Sequence, residues 1–387
     1  MQPNERTPPT SLRPSEQSSQ WTLHGRIGVL LTLTVVYFLA GKLGLRLAFA
    51  NPSATAVWPP TGIAFAAFLI IGYWVWPGIL LAAFLTNLAT AGSVATSISI
   101  AVGNTLEGML GAYLVSRFAG GRHVFDRTQN IFKFAFLAAM ISTMVSATCG
   151  VTSLILGGFA KWGDYGAVWL TWWLGDAAGD LVVAPLLILW AVSARGAWNR
   201  GRFLEVAILL LCLFLMGQVV FGGLFPSEIK NYPLEFLCVP ILIWVAFRFG
   251  QRETATAIFL LCGIAIRGTL LGLGPFVRPT QDASLLLLQA FMGVTSVMIM
   301  ALATVVSERQ RLILELQEAL NRIKTLKGLL PICAACKKIR DDKGYWTHME
   351  SYIRQHSEAD FTHGICPSCA QKFYPEEYAK VREGSGQ

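Results

Sequence analysis

Charged residues are scarce in this chain of 387 residues. Lysine, arginine, aspartate and glutamate together make up 14% of it, whereas 54% of the residues are hydrophobic. Soluble domains usually carry about 25% charged residues, so this shortage excludes an ordinary soluble globular protein and indicates an integral membrane protein. We also expect no cleavable signal peptide, because the first apolar run starts late and is too long for one.

Apolar runs repeat from residue 27 to residue 306 with only short interruptions. Because one crossing needs about 20 residues, we predict about 8–10 transmembrane helices, some of the shorter runs being re-entrant or half-buried instead. Lysine and arginine concentrate in alternate loops, which predicts that both termini lie in the cytoplasm. These loops also account for much of the net charge of +8, so no nucleic acid partner is expected.

Two carboxylates interrupt one apolar run, in the segment WWLGDAAGDLVVAP at residues 172–185. Asp176 and Asp180 are four residues apart and Trp173 is one turn before Asp176, so a helix places all three on one face. An ionisable residue near the bilayer centre costs roughly 2.5–3.5 kcal/mol on insertion scales. These acids must therefore face a bundle interior, a water-filled cavity or each other, and we interpret them as a sensing site.

A third acid, Glu107, follows Asn104 by one turn in the segment GNTLEG at residues 103–108. The functional interpretation is a cation, proton or ligand site shared with the two aspartates. The alternative is helix packing through the amide and a protonated acid. Trp58 and Pro59 open the second apolar run, where they either line this site or anchor the chain at the membrane interface.

A polar helix is predicted after the last apolar run, at residues 307–327. Its apolar residues recur at the 4-3-4-3-4 spacing of a heptad seam: Leu312, Leu316, Ala319, Ile323, Leu326 and Leu330. About three heptads make pairing with a second copy of the chain an option, giving a homodimer. The seam continues from the last membrane helix without a breaker, so it can carry a shift of that helix to the C-terminal part.

Four of the eight cysteines form two CxxC pairs in the polar C-terminal part: Cys333, Cys336, Cys366 and Cys369. Two such pairs can close a tetrahedron of thiolates around Zn²⁺, and a domain of about 50 residues has too little core to fold unaided. We therefore predict a structural zinc ion that leaves no open position for catalysis. A redox-active dithiol or an iron–sulfur cluster is the alternative. Helices are predicted at residues 346–356 and from 367 to about 380.

The membrane part resembles the membrane-associated sensor family, first type, a bacterial integral membrane sensory module. The resemblance rests on five motifs in order: NPSATAVWPPTGIA (51–64), WPG (76–78), GNTLEGMLGAYL (103–114), WWLGDAAGDLVVAPLL (172–187) and FRFGQRE (247–253). The C-terminal part resembles a short four-cysteine module of bacterial signalling proteins, which implies a metal-ligand role for its cysteines. Such sensors usually carry a kinase, cyclase or phosphodiesterase domain, and we find no motif of these enzymes here.

We therefore predict an all-α polytopic protein of the bacterial inner membrane. Its expected parts are a disordered cytoplasmic tail (1–26), a membrane sensor domain (27–306), a signalling or coiled-coil helix (307–327), a zinc-knuckle-like cytoplasmic domain (328–380) and a short tail (381–387). We expect a non-enzymatic receptor or adaptor that detects an unknown ligand, ion or proton state and signals to a cytoplasmic protein. The alternatives are a secondary transporter or proton-coupled permease, and a membrane thiol-redox protein.

Overall fold

A computed structural model describes residues 22–46, 48–51, 54–90, 93–192, 200–223, 233–322, 330–341, 343–357 and 359–384. These residues are mostly helical, and seven of their helical segments are long and apolar enough to cross a membrane. The predicted polytopic helical architecture is therefore confirmed. The chain divides into two compact units between Gln310 and Arg311, which are called here the membrane unit and the C-terminal unit.

The membrane unit contains eleven α-helices among its described residues. They are α1 (Leu23–Arg46), α2 (Pro59–Ile70), α3 (Trp76–Leu88), α4 (Val94–Phe118), α5 (Thr128–Phe134), α6 (Thr143–Leu156), α7 (Tyr165–Val192), α8 (Arg200–Phe221), α9 (Val239–Arg248), α10 (Gln251–Leu270) and α11 (Gln281–Arg322). A hairpin of β1 (Ala48–Asn51) and β2 (Ala54–Thr55) follows α1, and a π-helical segment (Ala135–Ser142) joins α5 to α6. Helix α1 starts four residues before the predicted boundary, while residues 1–21 of the predicted tail lie outside the described residues.

Three of the apolar runs form helices too short for a full crossing. These are α2, α3 and α9, with 12, 13 and 10 residues. Each carries proline in its first turn, where the ring fixes a helical φ and no hydrogen bond is lost. The number of full-length candidates in the described chain is seven, below the predicted 8–10, because these three apolar runs form short helices.

Contacts between helix ends show that α1 and α3 run in the same direction, with α2 connecting the end of one to the start of the other. Lys42 near the end of α1 donates a 2.8 Å hydrogen bond to the carbonyl of Ala89, just after α3. The guanidinium of Arg26 near the start of α1 lies 5.7 Å from the ring of Trp74, just before α3. We call the end with Lys42 the vestibule end and the opposite end, where α1 starts, the exit end.

Helices α2 and α7 approach closely because the GDAAGD segment of α7 presents glycine to α2. The backbone N–H of Trp58 donates a 2.9 Å hydrogen bond to the carbonyl of Gly175. A Cβ on Gly175 would lie 2.8 Å from the carbonyl oxygen of Thr55, and one on Gly179 would strike the carbonyl oxygen of Trp58. Only glycine therefore permits this contact, which seats the two aspartates of α7 beside α2.

Replacing Gly179 with alanine is expected to destabilise the membrane unit by about 1–3 kcal/mol, because α2 must move away. The matched control is Gly263→Ala in α10, where a Cβ would meet nothing within 4 Å. That replacement is expected to be neutral or stabilising by up to about 1 kcal/mol. Thermal unfolding of the purified proteins in detergent measures both, and equal melting temperatures would contradict this account of the contact.

The C-terminal unit consists of short elements with few buried side chains. A hairpin of β3 (Ile339–Arg340) and β4 (Trp346–Thr347) precedes α12 (Met349–His356), α13 (Pro367–Phe373) and α14 (Pro375–Gly384). The predicted helix at 346–356 thus starts later, because its first residues pair as a strand. The predicted helix from 367 is interrupted at Tyr374, before Pro375, which cannot continue the helical hydrogen bonding. Among the described residues of this unit, only Ile339 and Tyr352 are buried hydrophobic side chains.

Candidate functional site

Three buried carboxyl groups meet in the interior of the membrane unit. Asp176 and Asp180 project from α7 and Glu107 from α4, and each is only 1% exposed. Glu107 lies within electrostatic reach of both aspartates. We call these three residues the acid centre. Their proximity agrees with a shared site, although the described residues contain no group of three or more His, Cys, Asp or Glu placed to hold a metal ion.

Asp176 is the hydrogen-bonded member of the acid centre. The hydroxyl of Thr61 on α2 donates to Oδ1 of Asp176 at 3.1 Å. The hydroxyl of Ser146 on α6 lies 2.9 Å from Oδ2. Asp176 therefore ties α7 to two neighbouring helices through its own carboxyl oxygens.

Ser146 extends this contact into a network that reaches α4 and α1. Its hydroxyl lies 2.9 Å from Oδ1 of Asn104 and accepts a 3.2 Å hydrogen bond from Nε1 of Trp172. Nδ2 of Asn104 in turn contacts the hydroxyl of Tyr37 at 3.3 Å. Four helices besides α2 thus share one polar network, which makes their packing sensitive to the state of Asp176.

The direction of the hydrogen bonds in this network depends on the charge of Asp176. A hydroxyl carries one hydrogen, so Ser146 cannot donate to Asn104 and Asp176 at once. If Asp176 is protonated, it donates to Ser146, which donates to Oδ1 of Asn104. If Asp176 is charged, a 180° turn of the Asn104 amide lets Tyr37 donate to Asn104, Asn104 to Ser146, and Ser146 to the carboxylate. The network therefore has two fully bonded arrangements that differ in charge.

The other two acids lack well-formed hydrogen bonds, although the Ser146 hydroxyl lies close enough to Glu107 to interact with it. Both carboxyl oxygens of Glu107 and both of Asp180 are buried without a hydrogen bond among the described residues. No lysine, arginine or histidine in the described part of the chain forms an ion pair with any of the three acids. Unpartnered buried carboxyl groups are costly, and such groups are typical of sites that bind or transfer charge.

A small cavity, which we call the vestibule, leads from the vestibule end to this network. Its volume is about 30 Å³, enough for about two water molecules. The polar groups around it are hydroxyls, amides and indoles: Thr55, Thr90, Thr96, Ser97, Asn87, Asn104, Trp58 and Trp172. Apart from these, the lining is aliphatic. The innermost pair, Asn104 and Trp172, precede Glu107 and Asp176 by one helical turn, about 5.4 Å.

The structure brings most of the predicted site residues together but not all. Trp58 and Asn104 line the vestibule, and Pro59 begins α2 beside it. Trp173 lies elsewhere: its Nε1 donates to the carbonyl of Met140 at 2.9 Å. The indole in the network is that of Trp172. Sequence reasoning also missed Tyr37, Thr61 and Ser146, which are ordinary residues in apolar helices and carry no distinctive pattern.

Helix α11 contacts the site near the vestibule. Nε2 of Gln289 donates to the carbonyls of Thr55, at 3.2 Å, and Thr171, at 3.4 Å. Thr55 lines the vestibule, and Thr171 directly precedes Trp172. A movement of Thr55 or Thr171 would therefore change the hydrogen bonds of Gln289 on α11.

Near the exit end, α11 is also bonded to the start of the helix that carries Ser146. Oε2 of Glu308 accepts hydrogen bonds from the backbone N–H and the hydroxyl of Thr128, at 3.2 and 3.0 Å. Nε2 of Gln251 joins the carbonyl of Phe125 to the hydroxyl of Thr304, at 2.5 and 3.1 Å. We call the contact between Thr128 and Glu308 the exit latch. It links the α5–α6 segment to α11 just before α11 leaves the membrane unit.

The four cysteines of the C-terminal unit lie in two local turns. The backbone N–H of Cys336 donates to Sγ of Cys333 at 3.5 Å, and this lowers the pKa of the Cys333 thiol. The backbone N–H of Cys369 likewise lowers the pKa of the Cys366 thiol. Each turn thus favours one thiolate, the form that binds zinc, while Cys366 raises the pKa of the neighbouring Cys369 thiol. Four cysteine sulfurs are a donor set that suits zinc. The described structure does not gather the two pairs into one metal-holding group.

These features define a polytopic helical membrane protein with a buried acidic centre. The MASE1 family model matches residues 29–310, and the chain belongs to this family of membrane sensor domains. The predicted resemblance of the membrane part is thereby confirmed, whereas that of the four-cysteine part stays a prediction. The heptad seam also stays a prediction, and its positions Ile323 and Leu326 lie outside the described residues.

The membrane part is also similar to a curated bacterial protein. The chain is 25% identical over 235 residues to the probable diguanylate cyclase DgcE of Escherichia coli (strain K12). The match covers 60% of this chain and 20% of the relative, so the chain matches about a fifth of that protein's length. No solved structure matches the chain.

Proposed function

We propose that the protein is a non-enzymatic membrane sensor or adaptor whose acid centre is the sensing site. A ligand, ion or proton that changes the charge there selects one arrangement of the Ser146 network. The change in packing reaches α11, and the C-terminal unit passes the signal to a cytoplasmic protein. The observation that carries the proposal is the pair of buried carboxyl groups of Glu107 and Asp180, whose oxygens make no hydrogen bond among the described residues. A binding or charge-sensing role accounts for such groups.

The continuity of α11 supports the transmission step. The helix runs from Gln281 to Arg322 without interruption. It contacts the vestibule wall through Gln289 and the α5–α6 segment through Glu308. A change at either contact therefore acts on α11, whose last residues belong to the C-terminal unit.

The proposal places the exit end in the cytoplasm, at the inner membrane of a bacterium. The basic residues at that end are Arg122 and Arg127 before α5, Lys133 within α5, Arg248 at the end of α9 and Arg252 at the start of α10. This enrichment in positive charge is typical of the cytoplasmic side. Because α1 starts at this end and α11 leaves the membrane unit there, the proposal places both termini in the cytoplasm.

In the C-terminal unit, Cys333, Cys336, Cys366 and Cys369 would hold a structural zinc ion. When bound, zinc would supply a covalent cross-link in place of a hydrophobic core. The turn at Cys333 supports this, since the backbone N–H of Cys333 bonds to the carbonyl of Lys338 at 2.8 Å and Lys337 adopts a positive φ of 58°. Both CxxC turns thus present sulfur atoms held by local backbone.

Neutralising the acid centre is expected to change the dynamics of α11. In Glu107→Gln and Asp180→Asn, hydrogen exchange across residues 304–322 should differ from that of the wild type by roughly fivefold or more, the usual scale of allosteric coupling. The control is Glu205→Gln, which removes a half-exposed acid of α8 that pairs with Arg248. Exchange measured by mass spectrometry on the full chain in nanodiscs tests this, and unchanged exchange in both site variants would disprove the proposal.

The exit latch is expected to be required for that coupling. Glu308→Gln weakens the bond to Thr128, so combining it with Glu107→Gln should give less change in α11 exchange than the two single effects predict. Glu315→Gln, further along α11 and paired with Arg311 in the C-terminal unit, should combine additively instead. If Glu308→Gln is also additive, the signal does not pass through the latch.

A further inference from the structure

No cationic side chain of the described residues pairs with the acid centre, so a bound cation is one way to balance its carboxylates. Three carboxyl groups lie within electrostatic reach of one another, and none forms an ion pair among the described residues. Buried charges are tolerated when they are neutralised or paired. Resting on the proposed function, and naming its ligand class, we propose that the vestibule and acid centre bind one small, singly charged cation.

The vestibule fits such an ion better than an anion or a neutral solute. Its polar lining consists of neutral oxygen and nitrogen groups together with the indoles of Trp58 and Trp172. Hydroxyl and amide oxygens solvate a cation, and indole rings attract one. The carboxyl groups of Glu107 and Asp176 lie about one helical turn beyond the innermost lining residues. Their field therefore favours a cation in the vestibule and opposes an anion.

The size of the vestibule and the arrangement of the acids further restrict the class of cation that we propose. A volume of about 30 Å³ holds about two water-sized groups, which suits an alkali, ammonium or methylammonium ion better than a large organic cation. A divalent metal requires several closely spaced charged ligands, and the described residues form no such group of three. The remaining candidate is one monovalent cation, contacted by the hydroxyl, amide and indole groups that line the vestibule.

Thermal unfolding of the full chain in nanodiscs tests this at fixed pH and ionic strength. Chlorides of ammonium, methylammonium, potassium, sodium and magnesium replace N-methyl-D-glucamine chloride, whose cation is too large for the vestibule. We expect at least one small monovalent cation to raise the melting temperature saturably, by at least about 3 °C. Ammonium-type and alkali ions are separate arms, which distinguish a protonated amine from an inorganic ion as the source of the charge.

The variants decide where the ion binds. Glu107→Gln is expected to weaken the response at least tenfold in cation concentration, whereas Glu205→Gln should respond like the wild type. Asp180→Asn serves as the second site variant, since the Asp180 carboxyl forms no hydrogen bond whose loss would unfold the protein.

Three results would overturn the inference: stabilisation by no monovalent cation, preference for magnesium, or the same cation response in both site variants and the wild type. Such a failure is distinct from failure of the proposed function. The α11 exchange experiment compares charge variants without any added ligand, so it can succeed even if the site responds to protons alone.

Discussion

Alanine in place of Asp176 is expected to destabilise the membrane unit, whereas alanine in place of Asp180 is expected to be neutral or stabilising. Both changes remove the same atoms from the same helix, one turn apart and equally buried. The two variants differ in whether the lost carboxyl group had hydrogen-bond partners. Loss of Asp176 leaves the Thr61 hydroxyl without its partner, whereas the Ser146 hydroxyl keeps its contacts with Asn104 and Trp172. An unmade buried hydrogen bond costs about 1–3 kcal/mol. Loss of Asp180 strands nothing and removes an unpartnered carboxyl group.

The measurement is the difference in melting temperature between the two variants in the same detergent. We expect the free energy of unfolding of Asp180→Ala to exceed that of Asp176→Ala by about 1–3 kcal/mol, seen as a higher melting temperature. Asp180→Ala should nevertheless lose the coupling to α11, because it removes a carboxyl group of the acid centre that lies within electrostatic reach of Asp176. Equal destabilisation would mean that Asp180 has stabilising partners, and the account of the acid centre would then be wrong.

The acid centre could be predicted from sequence because an acid is conspicuous in an apolar helix. Asp176, Asp180 and Glu107 stand out against residues that lipid tolerates, and their spacing assigns the first two to one helix face. The assignment of Trp173 rather than Trp172 shows the limit of that reasoning. Trp173 is three residues before Asp176 and Trp172 is four, so helical spacing does not separate them.

Tertiary packing decides between the two tryptophans. A Cβ on Gly150 of α6 would lie 2.7 Å from the Trp172 ring, so this glycine makes room for Trp172 rather than for its neighbour. The π-helical segment before α6 also changes the register in which Ser146 reaches α7, and such insertions are frequent at functional sites. Neither Gly150 nor Ser146 carries a local signal, because small residues are common throughout these helices.

Removal of zinc is expected to unfold the C-terminal unit and leave the membrane unit folded. Only Ile339 and Tyr352 are buried hydrophobic side chains among the described residues of this unit, so its core is far too small to stabilise it alone. Binding of a structural zinc ion releases roughly 10–16 kcal/mol at neutral pH, far more than two side chains contribute. A strong chelator should therefore raise hydrogen exchange throughout residues 330–373 to the unfolded rate, and Cys333→Ser should do the same without chelator.

Metal analysis of the full chain should find one zinc per polypeptide, lost in Cys333→Ser and retained in Cys212→Ser. Cys212 is an exposed thiol of α8 and controls for loss of one cysteine outside the C-terminal unit. A metal-free protein with a reversible disulfide in either CxxC pair would contradict the zinc site and favour a thiol-redox role. The lowered pKa of Cys333 and Cys366 fits both chemistries, because a thiolate is the metal ligand and also the redox nucleophile. The size of the core favours zinc over a redox pair. A redox pair needs a folded unit around it, and the described residues of this unit bury too few hydrophobic side chains to fold without a further cross-link.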